Sequence, residues 1–426
     1  MKIINAVRIT QGNETESCEI RVSEGKILKV SQRLDDVIEE EVFDAKGMLV
    51  APGFVDIHVH LREPGFEKKE TVRSGSRAAA LGGYTTIVAM PNTDPVPDEP
   101  SILQAFQEKV KTDSLIRVRS YSAITKGEKG IDLVDFEAMD REGALGFSDD
   151  GKGVQEAGMM YRAMMETKRI GSIITAHCEE DSMLFGGYIH DGEYARKNHH
   201  KGIHPLAEDL QIVRDLAISE ATGCRYHICH MSTWSGVRAL RRAQEDGVKV
   251  TGEVTPHHLL LTEEDLKEDG NFKMNPPLRT PRDRKALLYG LREGIIGCIA
   301  TDHAPHTIEE KRNGLEKSPF GIVGLETSFA LLYTKLVRKG HLTLKRLVDA
   351  MTEGPAKIMN LPNGTMKEGA LADLTFIDLT KEWTIRSMDF ESKGKNTPFE
   401  NWKVTGKVQA VMLEGRLIVE GGKIID

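Results

Sequence analysis

The chain has 426 residues, 39% of them hydrophobic before its 40 glycines are counted, which suffices for about two or three domains or one large barrel with an attachment. It carries 57 basic and 65 acidic side chains, a formal charge of −8, and this argues against nucleic acid as a partner because phosphate binding needs a basic surface. A small anionic substrate stays open, since a local arginine serves it whatever the net charge.

The opening MKIINAVRIT has no long apolar core before a small-residue cleavage site, so no secretion signal is read. Nowhere do ~18 consecutive apolar residues mark a membrane span. Cys18, Cys178, Cys224, Cys229 and Cys298 are odd in number and contain no CxxC pair. No disulfide framework is expected, and a cytoplasmic protein without a membrane partner fits best.

Residues 1–51 read as short β segments, KIINAVRIT, CEIRVSEGKILKV and EVFDAKGMLV, separated by turn-rich pieces such as QGNETES. Residues 52–362 then alternate β-rich runs with helical stretches. The runs are LVAPGFVDIHVHL, YTTIVAMPNT, IRVRSYSAIT, ALGFSDDG, SIITAHCEE, CRYHICHMS, VKVTGEVTPHHLLL and IGCIATDHAPH; ETVRSGSRAAALGG and LAEDLQIVRDLAISEATG are typical of the helices. Eightfold alternation predicts a (β/α)8 TIM-type barrel. A doubly wound open sheet would carry GxGxxG after its first strand, and none is present. Residues 363–426 return to β segments, ADLTFIDL and GKVQAVMLEGRLIVEGGKII. Neither terminus alone has enough strands for a core, so the two are expected to meet in one small β-sandwich.

Polar residues cluster where the barrel strands end. Strand one ends in His58 and His60, whose spacing of two puts both imidazoles on one face. Strand four ends in Asp149 and Asp150, strand five in His177, strand six in His230 and strand eight in Asp302. Histidine and carboxylate are the ligands of zinc or a similar divalent ion, and this set is enough for two ions. A lone strand histidine is more often a hydrogen-bonded core residue; the set at equivalent barrel positions makes coincidence improbable. Parity turns His227 and His303 away, and one of His257 and His258 is a candidate neighbour of the site. Asp56, deeper on the parity of His58, is read as orienting a ligand histidine. His199, His200 and His204 fall in a polar loop and are read as solvated.

PGFVDIHVHLREPG, AMPNT, FSDDG, AHCEE, HICHMST, EVTPHHL, MNPPLR and ATDHAPH together resemble the dihydroorotase family, class I bacterial type, of the amidohydrolase superfamily. The resemblance spans essentially the whole chain, including SKGKNTPFENW. It implies His58, His60, His177 and His230 as metal ligands, with Asp150 (Asp149 being the alternative) where many relatives use a carboxylated lysine. It makes Asp302 both ligand and catalytic acid/base, and places Asn275 and the backbone at Phe320 and Gly321 on the substrate ring. One or two zinc ions and a homodimer are implied too.

The implied reaction interconverts N-carbamoyl-L-aspartate and L-dihydroorotate, a small-molecule step of pyrimidine (UMP) biosynthesis. A metal ion would lower the pKa of water from ~15.7 towards neutrality to supply hydroxide, with Asp302 passing the proton to the amide nitrogen. Arg62, Asn92 and His306 are candidates for the substrate carboxylate. Hydantoinase, dihydropyrimidinase and allantoinase are the rival enzymes; their uncharged rings would leave such a receptor unused. A non-catalytic subunit supporting aspartate transcarbamoylase would have lost metal ligands, whereas an active enzyme associating with that protein stays compatible.

Overall fold

The structure, a computed structural model, describes residues 1–425. The two termini form one hydrogen-bonded sheet of nine strands. The N-terminal part supplies Lys2–Ile9, Thr15–Ser23, Lys26–Ser31, Val42–Asp44 and Leu49–Pro52, and the C-terminal part Leu374–Thr384, Lys403–Leu413, Arg416–Glu420 and Lys423–Ile424. The splice is the antiparallel pairing of Leu49–Pro52 with Leu374–Thr384, for example Val50 opposite Phe376. Strand periodicity explains the burial: in Thr15–Ser23 the residues Cys18, Ile20 and Val22 point inward while Glu19 and Arg21 do not. They join Ile3, Phe43, Phe376 and Met412 in a core of their own.

Barrel strands one to eight run in order around a closed cylinder. Phe54–Val59, Tyr84–Ala89 and Arg117–Ser120 pair in parallel, as do Ile173–Ala176, Arg225–Ile228, Val250–Val254 and Cys298–Ile299. Strand four is reduced to bridges from Phe147 to Ser122 and Ile174, and a bridge between Val59 and His303 closes strand eight onto strand one. All six residues of Phe54–Val59 are buried, as both faces of a parallel barrel strand should be. Strands four and eight are short, and beyond them Gly151 (φ 79°) and Asp302 (φ 49°) take left-handed backbone beside the polar side chains of the mouth.

The outer helices occupy the expected runs. Val72–Leu81 starts at a capping box between Thr71 and Ser74 and buries Ala78, Ala79 and Ala80 against the barrel. Ala157–Arg169, Leu206–Thr222, Trp234–Glu245 and Pro281–Arg292 continue the ring. Among the described residues no helix is long and apolar enough to cross a membrane. All five cysteines are buried and unpaired with one another.

The polar loop before Leu206 departs from its expectation. Ile189–His190 pairs in parallel with Gly202–Ile203, and His200 is held by the Tyr188 hydroxyl at 2.9 Å and by Glu268 at 3.0 Å. It is thus a clamped element, and His200 is not free in solvent.

Candidate metal centre

Six buried side chains converge at the C-terminal mouth of the barrel: His58, His60, Asp150, His177, His230 and Asp302. They fall into two overlapping sets. His60 Nε2 lies 2.9 Å from Asp302 Oδ1, and His58 Nε2 lies 3.5 Å from the same oxygen. His177 Nδ1 lies 3.0 Å from His230 Nε2. Asp150 sits between the sets, with Oδ1 3.4 Å from His58 Nε2 and 3.9 Å from His230 Nε2, and Oδ2 3.6 Å from His60 Nε2. His230 (φ 29°), Asp302 (φ 49°) and Arg62 (φ 60°) all take left-handed backbone, which costs of order 1–3 kcal/mol each and re-aims each side chain after its strand ends.

The cluster fits a divalent cation on its own evidence. His58 Nε2 and Asp150 Oδ1, 3.4 Å apart, are buried without a hydrogen-bond partner. Leaving such groups unpaired costs about 1–3 kcal/mol each, and a cation among them supplies what they lack. Electrostatics agree. Burial resists charge on Asp150 and Asp302, yet the surrounding imidazoles hold both carboxyls below the usual carboxylate range. Burial, helped by His177 and His58, pushes His230 down to about 3, so its imidazole is neutral and able to ligate.

Asp149 goes elsewhere. Its Oδ1 accepts from the backbone N–H groups of Ile124 (2.7 Å) and Thr125 (3.0 Å), and its Oδ2 from the Thr125 hydroxyl (2.5 Å). Asp56 does not orient an imidazole either, as the sequence suggested. It accepts from the backbone N–H of His58 (3.0 Å) and from Thr301, so it ties strand one to strand eight through main chain.

The carboxylate that fixes His58 is Glu253, which sequence reasoning passed over. Glu253 Oε1 lies 2.7 Å from His58 Nδ1 and accepts from His230 N–H at 3.1 Å, while Oε2 meets His227 Nε2 at 3.1 Å. Holding Nδ1 leaves Nε2 to face the cluster. The available signal was a carboxylate inside the barrel strand Val250–Val254 (VTGEV). Cys229 and Cys298 also lie near Glu253, but burial pushes the Cys229 thiol up to about 12 and Cys298 well above its usual value, so neither offers a thiolate.

Asn92 binds within the cluster: its Oδ1 lies 2.9 Å from His60 Nδ1, and its Nδ2 donates to Asp150 Oδ2 at 3.2 Å. Asn275 Nδ2 donates to Glu179 Oε2 (2.9 Å), which leaves its buried Oδ1 without a partner. His303 pairs with Glu70 at 3.1 Å, away from the mouth. His258 meets Pro276 O at 2.9 Å and so supports the loop bearing Asn275.

Arg62, His306, Phe320 and Gly321 gather beside the cluster. Arg62 Nη2 is 3.4 Å from His306 Nε2, which donates to Phe320 O at 2.7 Å. Gly321 has φ 128°, and a Cβ there would fall 2.6 Å from that of Ala304, so only glycine fits. Its backbone is fully used: N–H donates to Lys273 O, and C=O accepts from Lys311 Nζ (2.8 Å) and Asn396 Nδ2 (3.0 Å).

The profile of the Dihydro-orotase-like family matches residues 47–235. A protein of Shouchella clausii named dihydroorotase is 49% identical over 425 residues, covering 100% of this chain and 99% of its own length. The dihydroorotase of Bacillus subtilis is 49% identical over 424 residues, covering 99% of each. Among solved structures, the L-hydantoinase (dihydropyrimidinase) of Arthrobacter aurescens has a TM-score of 0.90 at 27% identity, covering 100% of this chain and 97% of its own. The D-hydantoinase (dihydropyrimidinase) of a Thermus species has a TM-score of 0.86 at 27% identity, covering 100% and 96%.

Proposed function

The chain belongs to the dihydroorotase family of the amidohydrolase superfamily, and from that premise we propose that it catalyses the reversible cyclisation of N-carbamoyl-L-aspartate to L-dihydroorotate in pyrimidine biosynthesis. The observation that carries this reading is the juxtaposition of a buried histidine–aspartate cluster with the Arg62 guanidinium, which feels the charges of Asp302 and Asp150 and lies 3.4 Å from His306. Barrel residues 52–362 would carry the chemistry, with residues 1–51 and 363–426 as its structural attachment.

Zinc suits the donor set, and His58, His60, Asp150, His177, His230 and Asp302 would hold one ion or two. When bound, the metal activates water and polarises the ring carbonyl. Asp302 is kept ionised by His60 and its neighbours, so it stands ready as a base. In ring opening it takes the proton from the attacking water as the C–O bond forms, and delivers it to the ring nitrogen as the C–N bond breaks. Cyclisation runs the same transfers backwards. Arg62 pairs with the substrate carboxylate, the unpartnered Asn275 Oδ1 accepts from a ring N–H, and the Phe320–Gly321 segment borders the ring. Asn92 contributes by holding His60 and Asp150 in register with that pocket. The proposal extends to a cytoplasmic homodimer able to associate with aspartate transcarbamoylase.

The overall likeness to hydantoinases supports a second reading, ring opening of uncharged cyclic amides. Turnover of L-dihydroorotate, hydantoin and dihydrouracil, before and after chelation, separates the two. Metal-dependent opening of dihydroorotate alone is expected. Opening of the uncharged rings instead would move the chain to the hydantoinase reading.

A further inference from the structure

Beside Arg62 lies a second cation that the recognition motifs leave without a role. Lys69 lies in the loop after strand one. Phe66 N–H donates to Arg62 O at 2.8 Å and Lys69 N–H to Phe66 O at 2.8 Å, so the loop folds back and returns the Lys69 side chain towards Arg62. The two cations then approach the same imidazole from its two nitrogens. Arg62 Nη2 is 3.4 Å from His306 Nε2, and Lys69 Nζ is 3.3 Å from His306 Nδ1.

Counting hydrogens fixes the state of that ring. Phe320 O, 2.7 Å from Nε2, is an acceptor only, so Nε2 carries the proton. Nδ1 then has a lone pair, and the Lys69 ammonium donates to it. Burial and then the charges of Arg62, Lys69 and Lys311 push His306 down to about 2, in keeping with a neutral ring. Both of its nitrogens are committed, which leaves Arg62 and Lys69 as the positive groups facing an incoming anion.

Lys69 already has a carboxylate partner. Glu310 Oε1 lies 2.9 Å from its Nζ, on the short helix Ile308–Lys311 of the strand-eight loop. The other Glu310 oxygen caps that helix by accepting from Thr307 N–H at 3.0 Å. The two side chains are 22% and 35% exposed, so the pair is solvated enough to exchange partners.

We propose that Lys69 is a positioning and specificity residue for the anionic substrate, acting through His306 and through its charge, and that Glu310 is an internal carboxylate that competes with the substrate carboxylate for it. The inference rests on the reading of a carboxylated ring as substrate. It makes the two members of one ion pair act with opposite sign: losing the lysine charge weakens substrate binding, and losing the glutamate charge strengthens it. A pair that merely braced two loops would give the same sign for both.

Steady-state kinetics of the metal-loaded enzyme on L-dihydroorotate test this, with wild type, K69M, K69R and E310Q. Wild type comes first: failure to open dihydroorotate, with hydantoin opened instead, would sink the substrate reading itself, an outcome distinct from any result on the variants. Given wild-type turnover, K69M is expected to raise KM about 10-fold or more while kcat changes less than about 3-fold, and K69R to recover most of the loss. E310Q, whose amide oxygen still accepts from Thr307, is expected to lower KM about 2- to 5-fold. An unchanged KM in K69M, a loss confined to kcat, or an E310Q KM that rises would each overturn the proposal. Should K69M fail to fold, the direction of the E310Q change decides alone.

Discussion

Asp149 and Asp150 are adjacent carboxylates that the backbone sends to opposite tasks. Asp149 is spent on the main chain and hydroxyl of the loop after strand three, whereas Asp150 reaches the imidazoles and keeps Oδ1 unpaired. D150A should therefore lower bound metal, measured by atomic absorption, more than D149A does, and D149A should lower Tm more; the reverse order for metal would exchange their roles. Glu253 acts one contact further out. E253Q should weaken metal affinity about 10- to 100-fold in chelator competition, because His58 loses the carboxylate that fixes its tautomer. D302N should abolish turnover while leaving most of the metal, and retained activity would remove its proton-transfer role. At this scale the HxH spacing and the Asp–Asp pair were readable because they are local in sequence. Glu253 was not, since its partners are 195 and 26 residues away and a lone carboxylate in a strand has no spacing to betray it. Lys69, in a run of charged residues, looks in sequence like any solvated lysine.

The elements that serve the site are the strand ends and the loops attached to them. Strand–helix alternation was legible because each unit repeats one hydrophobic pattern. The shortness of strands four and eight was not, because ALGFSDDG and IGCIATDHAPH carry the same apolar-run pattern as the longer strands. The loop after strand three holds a further dependence. Glu128 is 4% exposed, its Oε1 is unpaired, and burial together with the Asp149 charge pushes its carboxyl up to about 8 from the usual 4.5. The folded chain therefore keeps a proton there that the unfolded chain releases. This contribution is fully present below pH ~4.5 and is lost as pH rises through ~8. E128Q, which stays neutral, should gain Tm relative to wild type as pH is raised from ~5 to ~8; parallel curves would show that Glu128 is ionised in the fold. The strand-eight loop is braced too. Lys311 donates to the carbonyls of Lys273, Pro319 and Gly321, and Asn396 to those of Ala304 and Gly321, so the backbone on both sides of His306 is fastened to buried side chains.

Across the whole molecule, the barrel mouth gathers residues that lie as far apart in sequence as His58 and Asp302. Any group that binds the folded cluster and not the unfolded chain adds stability by mass action. Chelation should accordingly lower Tm by several degrees and restoring a divalent ion should recover it; an indifferent Tm would mean that the cluster is satisfied without metal. The union of the termini was readable because neither end could close a core alone. That they would form a continuous ladder spliced at Leu49–Pro52 was not, since register between segments more than 300 residues apart leaves no trace in either.

That splice also sets an order of events. During synthesis Leu49–Pro52 emerges early, but its antiparallel partner Leu374–Thr384 is made only after the entire barrel. At about 5–20 residues per second the N-terminal strands wait tens of seconds with an open edge while the barrel is being made. A ribosome that stops between residues 303 and 373 leaves that edge available to another chain. Such truncated products should be recovered in aggregates, even though every residue of the metal cluster has already been made.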